Sequence, residues 1–389
     1  LRLPIQYNLR NLVVRRTMTL MTAGGIALVV AVLVLTLALA HGFSATLVAT
    51  GRPDNAIVLR SGSDSEMMSG LTREAARVIA SDPAVARGAD GEPLALSEMV
   101  VLVNLTRRGN PTASSNVSVR GVDARVLELR PDIGLREGRL FRAGMDEVVV
   151  GRNLGRRFEG CGLGEKLRMG GRDWTVVGTF DAGGSGFDSE IWGDAEAFLP
   201  AFDRSVWSSL TLRLKDPGAL PALQARLEAD PRLHATARIE QEYYRAQSQQ
   251  LAAVIRALGL FLVVVMAAGA IFGALNTMYA AVGSRSREIA TLLALGFPPR
   301  AILASFMVES VLLCVIGGVL GCLLALPVHG MSTGTTNWSS FSEVAFEFRL
   351  TPGILATGML ASVLLGLVGG WFPARAAARR PVSEALRAG

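Results

Sequence analysis

Four long stretches almost free of charge decide what this chain can be. Nothing charged lies between Arg16 and His41, and as a helix Met18 to Ala40 reaches ~35 Å at about 1.5 Å per residue, enough to cross a bilayer with some tilt. Similar stretches recur at Ala257 to Ser284, at Ala301 to Pro327 with Glu309 as the interruption, and at Leu350 to Ala374. Each is long enough to span, so four transmembrane helices are expected. Ala38 to Gly42, "ALAHG", would suit signal-peptide cleavage, but the first stretch exceeds the ~7 to 15 apolar residues of such a leader and is read as a retained span.

Arginines orient the spans. Arg2, Arg10, Arg15 and Arg16 precede the first, Arg285, Arg287 and Arg300 separate the second from the third, and Arg375, Arg379, Arg380 and Arg387 follow the fourth. With four spans all three sets share one side, which the positive-inside rule makes cytoplasmic. Both termini are then cytoplasmic, and the connections at about 41–250 and 328–349 lie outside. Trp338 and Trp371 fall near the expected interfaces. Charge follows the same division: Arg52 to Arg245 carries 26 basic and 28 acidic residues, while the apolar ends carry 13 and 5. The basic excess therefore belongs to membrane flanks and gives no reason to invoke nucleic acid.

Gly269 with Gly273, Gly317 with Gly321, and Gly366 with Gly370 repeat a small-x-x-x-small spacing that lets helix backbones approach closely, so these six are expected at helix contacts. Glu309 stands roughly nine residues, or ~13 Å, inside the third span. A carboxylate there marks a functional site by default, but no span supplies a second acid for a relay. A structural pairing with Asn276 or Arg16 is the favoured reading.

From Arg52 the texture changes to short β-rich runs such as "NAIVLRSG", "MVVLVNLTR" and "DEVVVG", split by Gly, Pro, Asn and Asp. Helix patterns intervene, "SGLTREAARVIASDPAV" with Thr72 as N-cap and "PGALPALQARLEADPRL" on the same plan. Without regular βαβ alternation this reads as an α+β domain of about 200 residues. The expected organisation is an amphipathic entry helix and first span over 1–45, the extracytoplasmic domain over 46–245 with a central β-rich subdomain at about 121–200, and spans two to four over 246–389. A polar helix, 240–256, should lead straight into span two.

Catalytic and cofactor signatures are missing. There is no Walker-type phosphate loop, since "GLGEKL" at Gly162 to Leu167 lacks its spacing and hydroxyl, and no H-E-x-x-H; the three histidines are scattered, and Cys161 is alone in the polar middle. "GGSGF" at Gly183 to Phe187 is a loop and not a G-x-S-x-G elbow. No cofactor, metal or enzymatic activity is expected of this chain. Three cysteines, two of them inside one apolar run, build no disulfide framework.

Between spans two and three, "SRSREIATLLALGFPPR" (284–300) crowds Arg285, Arg287 and Glu288 at the start of a helix pattern. Ser284 or Ser286 can cap it, Ile289, Leu292, Leu293 and Gly296 recur on one face, Gly296 supplies a left-handed stop, and Pro298-Pro299 starts the next helix. A short stiff charged helix of this kind suits docking into a partner's cleft.

"NTMYAAVGSRSREIATLLALGFPPRAILASFMVESVLLCVIGGVLG" (Asn276 to Gly321), the tail "GGWFPARAAARRPVSEALR" and the start "NLRNLVVRRTMTLMTAGGIALVV" together resemble the MacB/FtsX-type ABC transporter permeases over the whole chain. The resemblance implies a permease that works as a homodimer or heterodimer with a separate ABC ATPase subunit in a bacterial inner membrane. It also implies a MacB-like periplasmic domain moved by ATP hydrolysis to drive export or extraction, with a periplasmic adaptor as a further partner beside membrane lipids. Arg285, Arg287, Glu288, Ile289, Leu292 and Gly296 would couple to the ATPase. The alternative within the resemblance is an FtsX-like signalling or scaffold protein controlling an extracytoplasmic enzyme.

Overall fold

In the computed structural model of the protein, residues 16–338 and 340–379 are described. The expected entry helix ahead of the first span, with Arg2, Arg10 and Arg15, falls on residues before 16, and it and the tail carrying Arg380 and Arg387 lie outside the described residues. The chain divides into two compact units. Gly42–Ala252 with Ser332–Glu347 form a sheet unit; among the described residues, 16–41, Ala253–Met331 and 348–379 form a helical unit.

In chain order the elements are α1 (Arg16–Val48), β1 (Asn55–Arg60), α2 (Arg73–Ala80), β2 (Ala95–Arg107), β3 (Asn110–Val122), α3 (Val126–Leu129), β4 (Gly134–Gly138), β5 (Glu147–Gly151), β6 (Lys166–Met169), β7 (Arg172–Asp181), β8 (Glu190–Asp194), α4 (Ala195–Ala201) and β9 (Ser209–Arg213). They continue with α5 (Leu220–Ala229), β10 (Ala235–Ile239), α6 (Glu240–Ser284), α7 (Ser286–Ala294), α8 (Pro299–Ala325), β11 (Ser332–Thr336), β12 (Glu343–Glu347) and α9 (Pro352–Ala378).

The sheet unit is built on one mixed sheet in the order β10-β1-β9-β2-β3-β8-β5-β7-β4, with β6 also on β7. Most neighbours are antiparallel, while β3 with β8 and β5 with β7 are parallel. Successive strand side chains point to opposite faces, and both faces are covered. Ala56 and Val58 of β1 join one core and Ile57 and Leu59 the other, as do Val148 and Val150 against Val149 in β5. That two-sided burial is why these strands read as continuous apolar runs rather than alternating ones. Helices α2, α4 and α5 close the first core through Ile79, Phe198 and Leu223. Val126 and Leu129 of α3, with Tyr243 and Tyr244 at the start of α6, close the second.

Thr72 caps α2, its hydroxyl accepting from Ala75 N at 3.2 Å. The parallel expectation for α5 fails: a 3-10 turn at Pro217–Ala219 enters it directly, and Ala219 has no side chain with which to cap.

Among the described residues four helices are long and apolar enough to cross a membrane, α1, α6, α8 with its short 3-10 extension to Val328, and α9. Two pairs of glycines bring α8 against its neighbours. A Cβ at Gly317 would stand 2.8 Å from the Ala23 carbonyl oxygen of α1, and one at Gly321 2.6 Å from that of Ala27. On α9, Gly366 faces Cys314 at 3.0 Å and Gly370 faces Ser310 at 2.6 Å. Gly269 and Gly273 on α6 differ from expectation, because no atom of another element comes within 4 Å of where their Cβ would stand. They line instead an apolar groove of about 280 Å³ between α6 and α1, together with Met21, Gly25, Leu28 and Met266.

Candidate functional site

The α6–α7–α8 connection begins with Arg285, the N-cap residue of α7. Neither serine caps the helix, contrary to the sequence reading: Ser284 Oγ donates to the Ala281 carbonyl at 3.0 Å and Ser286 Oγ to that of Gly283 at 2.7 Å, both turned back onto α6. Residues four apart share one helix face, so Arg285, Ile289 and Leu293 line up. That face points inward. Ile289 and Leu293 pack with Met278 and Val282 of α6, Ile302 and Phe306 of α8, and Ala374 and Ala377 of α9.

Arg285 continues the inward face as charge. Its Nη1 lies 2.8 Å from Glu309 Oε2, both side chains being under 8% exposed, and its guanidinium stands 5.9 Å from the centre of the Phe306 ring. Glu309 thus pairs with neither expected partner. Asn276 is exposed on α6, and the position beside it, Thr277, bonds Thr22 of α1 at 2.8 Å. Arg285 reaches Glu309 because the turn between α6 and α7 folds its side chain back into the bundle. One residue on, Ser310 Oγ donates to the Gly366 carbonyl of α9 at 2.8 Å.

The outer face of α7 carries Arg287, Glu288, Thr291 and Ala294, all exposed, with Leu292 half-buried at its edge. The helix ends in a left-handed turn. Gly296 has φ +87°, its N–H donates to Leu293 O at 3.1 Å, and Phe297 N–H donates to Leu292 O at 3.1 Å, the paired bonds of a Schellman stop. Pro298 then precedes α8 and Pro299 occupies its first turn. Of the six residues expected to meet a partner, Arg285 and Ile289 are turned into the bundle, while Arg287, Glu288, Leu292 and Gly296 remain on or beside the accessible face.

In the sheet unit lies a second polar centre that the sequence reading missed. Arg120 of β3 is 2% exposed and touches three carboxylates, Glu66 at 2.7 Å, Glu98 at 2.6 Å and Glu190 at 2.8 Å. Arg130 joins Glu98 at 2.6 Å to Glu240, the first residue of α6, at 2.9 Å. Burial alone would raise the Glu98 carboxyl, but Arg130 and Arg120 outweigh it and hold it below the usual carboxylate range. Tyr243 and Tyr244 complete the centre, the former accepting from Glu66 N at 2.9 Å and the latter donating to Glu66 Oε2 at 3.3 Å. The first two turns of α6 are thereby tied into the sheet unit by charge as well as packing.

Residues 19–230 match the MacB-like periplasmic core domain and residues 260–382 the FtsX-like permease C-terminal family. The chain belongs to the MacB/FtsX-type ABC transporter permeases. Similar curated proteins include the macrolide export ATP-binding/permease protein MacB 1 of Aeromonas hydrophila subsp. hydrophila, 29% identical over 72% of this chain and 44% of that one. The MacB protein of Photorhabdus laumondii subsp. laumondii is 25% identical over 97% of this chain and 59% of its own length. The chain spans about half the length of the curated relatives it matches. Among solved structures, the periplasmic region of MacB from Actinobacillus actinomycetemcomitans aligns with 51% of this chain and 94% of its own, at 13% identity and a TM-score of 0.37. The first match runs from α1 through α5 and the second from α6 to α9, so the two families divide the chain between the four apolar helices and the α+β unit that lies between α1 and α6 in the sequence.

Proposed function

We propose that this MacB/FtsX-type chain is the non-catalytic permease of an ABC transporter, in which an ATPase outside this chain grips α7 and the resulting motion of the spans is passed to the sheet unit to drive export or extraction. On this reading the sheet unit is periplasmic and the arginine-bearing helix ends are cytoplasmic, with the chain in a bacterial inner membrane and paired with a second permease copy. A periplasmic adaptor and lipids are its other partners. The names of the relatives, which describe macrolide export, support an exported cargo without naming this one.

One observation carries the reading. Helix α7 is closed by a glycine stop, fixed from within by Ile289 and Leu293 and by the Arg285–Glu309 pair, and presents Arg287 and Glu288 outward. An element so anchored can move the helices behind it when pushed, because its inner face cannot slide independently of α8.

The test is co-purification with the cognate ATPase. Exchanging the charges as Arg287→Glu with Glu288→Arg should abolish the complex while leaving the permease folded. If the complex survives that exchange, the α7 docking reading is wrong.

A further inference from the structure

The segment 332–347, "STGTTNWSSFSEVAFE", connects two spans and begins with small hydroxylated residues that give little sign of structure. It folds as an antiparallel hairpin, β11 with β12, in the register Gly334 opposite Ala345 and Thr336 opposite Glu343. Although its flanks belong to the helical unit, the hairpin itself belongs to the sheet unit.

Several contacts hold it there. Val344, Ala345 and Phe346 are buried, Phe346 edge-on to Phe43 with ring centres 5.5 Å apart. Ala345 N–H donates to Ser189 Oγ at 3.0 Å, and Asn337 Nδ2 donates to Gln247 Oε1 on α6 at 3.3 Å. The strongest contact is ionic. Glu343, 5% exposed, is shared by two arginines from separate segments, Arg107 at the end of β2, whose Nη2 lies 2.5 Å from Oε2, and Arg157, which bonds Oε1. Gly334 makes room for this arrangement: a Cβ there would run into the Arg157 guanidinium. Beneath the hairpin lies a cavity of about 40 Å³ lined by Ser65, Glu66, Arg120, Tyr243 and Ser342, room enough for ordered water. The Ser65 hydroxyl on its wall has no hydrogen-bond partner among the described residues.

We propose that this hairpin is a latch: Glu343, held between Arg107 and Arg157, fastens the α8–α9 connection onto the sheet unit and covers the Arg120 centre. The sheet unit is then joined to the spans by a releasable charge-assisted contact in addition to the continuous chain of α1 and α6. Charge-assisted bonds to a desolvated carboxylate are strong and directional, and a latch built on them opens as a unit when one charge is removed. That the latch transmits motion rests on the proposed coupling function; that it exists does not.

Hydrogen exchange on the full-length protein in lipid nanodiscs tests the latch itself. Glu343→Gln should raise exchange across β11 and β12 about tenfold or more, as for a local opening that has lost a charge-assisted contact, with β1 and β9 unchanged. Arg157→Gln, which leaves Arg107 in place, should give a smaller rise in the same peptides. Unchanged exchange in both variants overturns the latch.

Its mechanical role is read in the complex with the cognate ATPase, comparing ATP with a non-hydrolysable analogue. A nucleotide-dependent change of exchange in β2 and β3 should be present in the wild type and lost in Glu343→Gln. It should return when Ser189→Cys and Ala345→Cys are added and oxidised, and vanish again on reduction. An opened latch with nucleotide response intact overturns the mechanical role alone. A wild type without nucleotide response refutes the proposed function instead, while the first measurement still decides the latch.

Discussion

Replacing Arg120 by Met should cost the sheet unit much of its stability in a way that acid repairs. The guanidinium makes five contacts of 3.1 Å or less to Glu66, Glu98 and Glu190, and it is 2% exposed. Methionine fills a similar space without charge. Glu98 keeps Arg130 at 2.6 Å, whereas Glu66 retains the hydroxyls of Ser209 and Tyr244 and Glu190 the indole N–H of Trp192. Breaking a buried pair by removing one partner costs ~3–5 kcal/mol because a buried charge is left uncompensated. Arg120 serves three carboxylates, but hydroxyl and indole donors remain, so about 4 kcal/mol at pH 7 is expected. For a unit of this size that lowers the melting temperature by roughly 10 °C.

The sign with pH is fixed. In the wild type the depressed Glu98 carboxyl contributes stability that is present above its unfolded value and lost as pH falls through the folded one. In the variant Glu98 keeps only Arg130 of the two cations that hold its carboxyl down, so it contributes less at neutral pH and the deficit shrinks as pH falls through the carboxylate range. Thermal unfolding of the full-length protein in detergent, followed by tryptophan fluorescence, reads this directly, since Trp192 Nε1 bonds Glu190 at 2.8 Å. A loss below about 1 kcal/mol at pH 7 would place the pair among those that contribute little, and a loss independent of pH would refute the charge argument.

In the helical unit, Arg285→Gln and Glu309→Gln should each destabilise by about 3–5 kcal/mol, and the double variant by clearly less than their sum; additive losses in detergent melting curves would show that the pair is not a pair. Gly317→Leu should abolish monodisperse purification, because its Cβ would already stand 2.8 Å from the Ala23 carbonyl, whereas Gly269→Leu, facing the groove, should leave the melting temperature of the detergent-solubilised chain within about 2 °C. Equal tolerance at both positions would overturn the assignment of the α1–α8 contact.

Features set by one segment alone were legible in the sequence. The spans follow from their lack of charge, and the α7 stop follows from Gly296 and the two prolines. Features that need two distant segments were not. Arg285 and Glu309 are 24 positions apart with Asn276 and Arg16 as rival partners, and nothing in the pattern shows that the turn after α6 swings Arg285 inward. Arg120 sits between Val119 and Gly121 in β3, where alternation suggests a solvent-facing charge. The sheet is covered on both faces, so the side chain meets glutamates from β2, β8 and a 3-10 turn instead of water. The β11–β12 hairpin was invisible for a different reason: "STGTT" carries no apolar period, and its order comes from Glu343, Ala345 and Phe346 meeting partners more than 150 residues away.

The same distinction separates the helices of the bundle by how firmly each is held. α8 meets α1 through Gly317 and Gly321 and α9 through Gly366 and Gly370, at separations that leave no space for a methyl group, and Ser310 adds a hydrogen bond to the Gly366 carbonyl. Such contacts have no looser version that keeps the packing, so α1, α8 and α9 move together or come apart. α6 is held less evenly: only 17% of its most apolar stretch is buried and Gly269 and Gly273 face a groove, yet Gly259 leaves no room for a methyl group against Thr36 of α1. Helix α7, joined to the end of α6 by chain, is joined to α8 by the Arg285–Glu309 pair and the Ile289 contacts. On the proposed reading, a force applied to Arg287 and Glu288 therefore displaces α8 with α1 and α9 as one body, while the groove-facing middle of α6, between the Gly259 contact with α1 and the Met278 and Val282 contacts with α7, has room to change its packing against them.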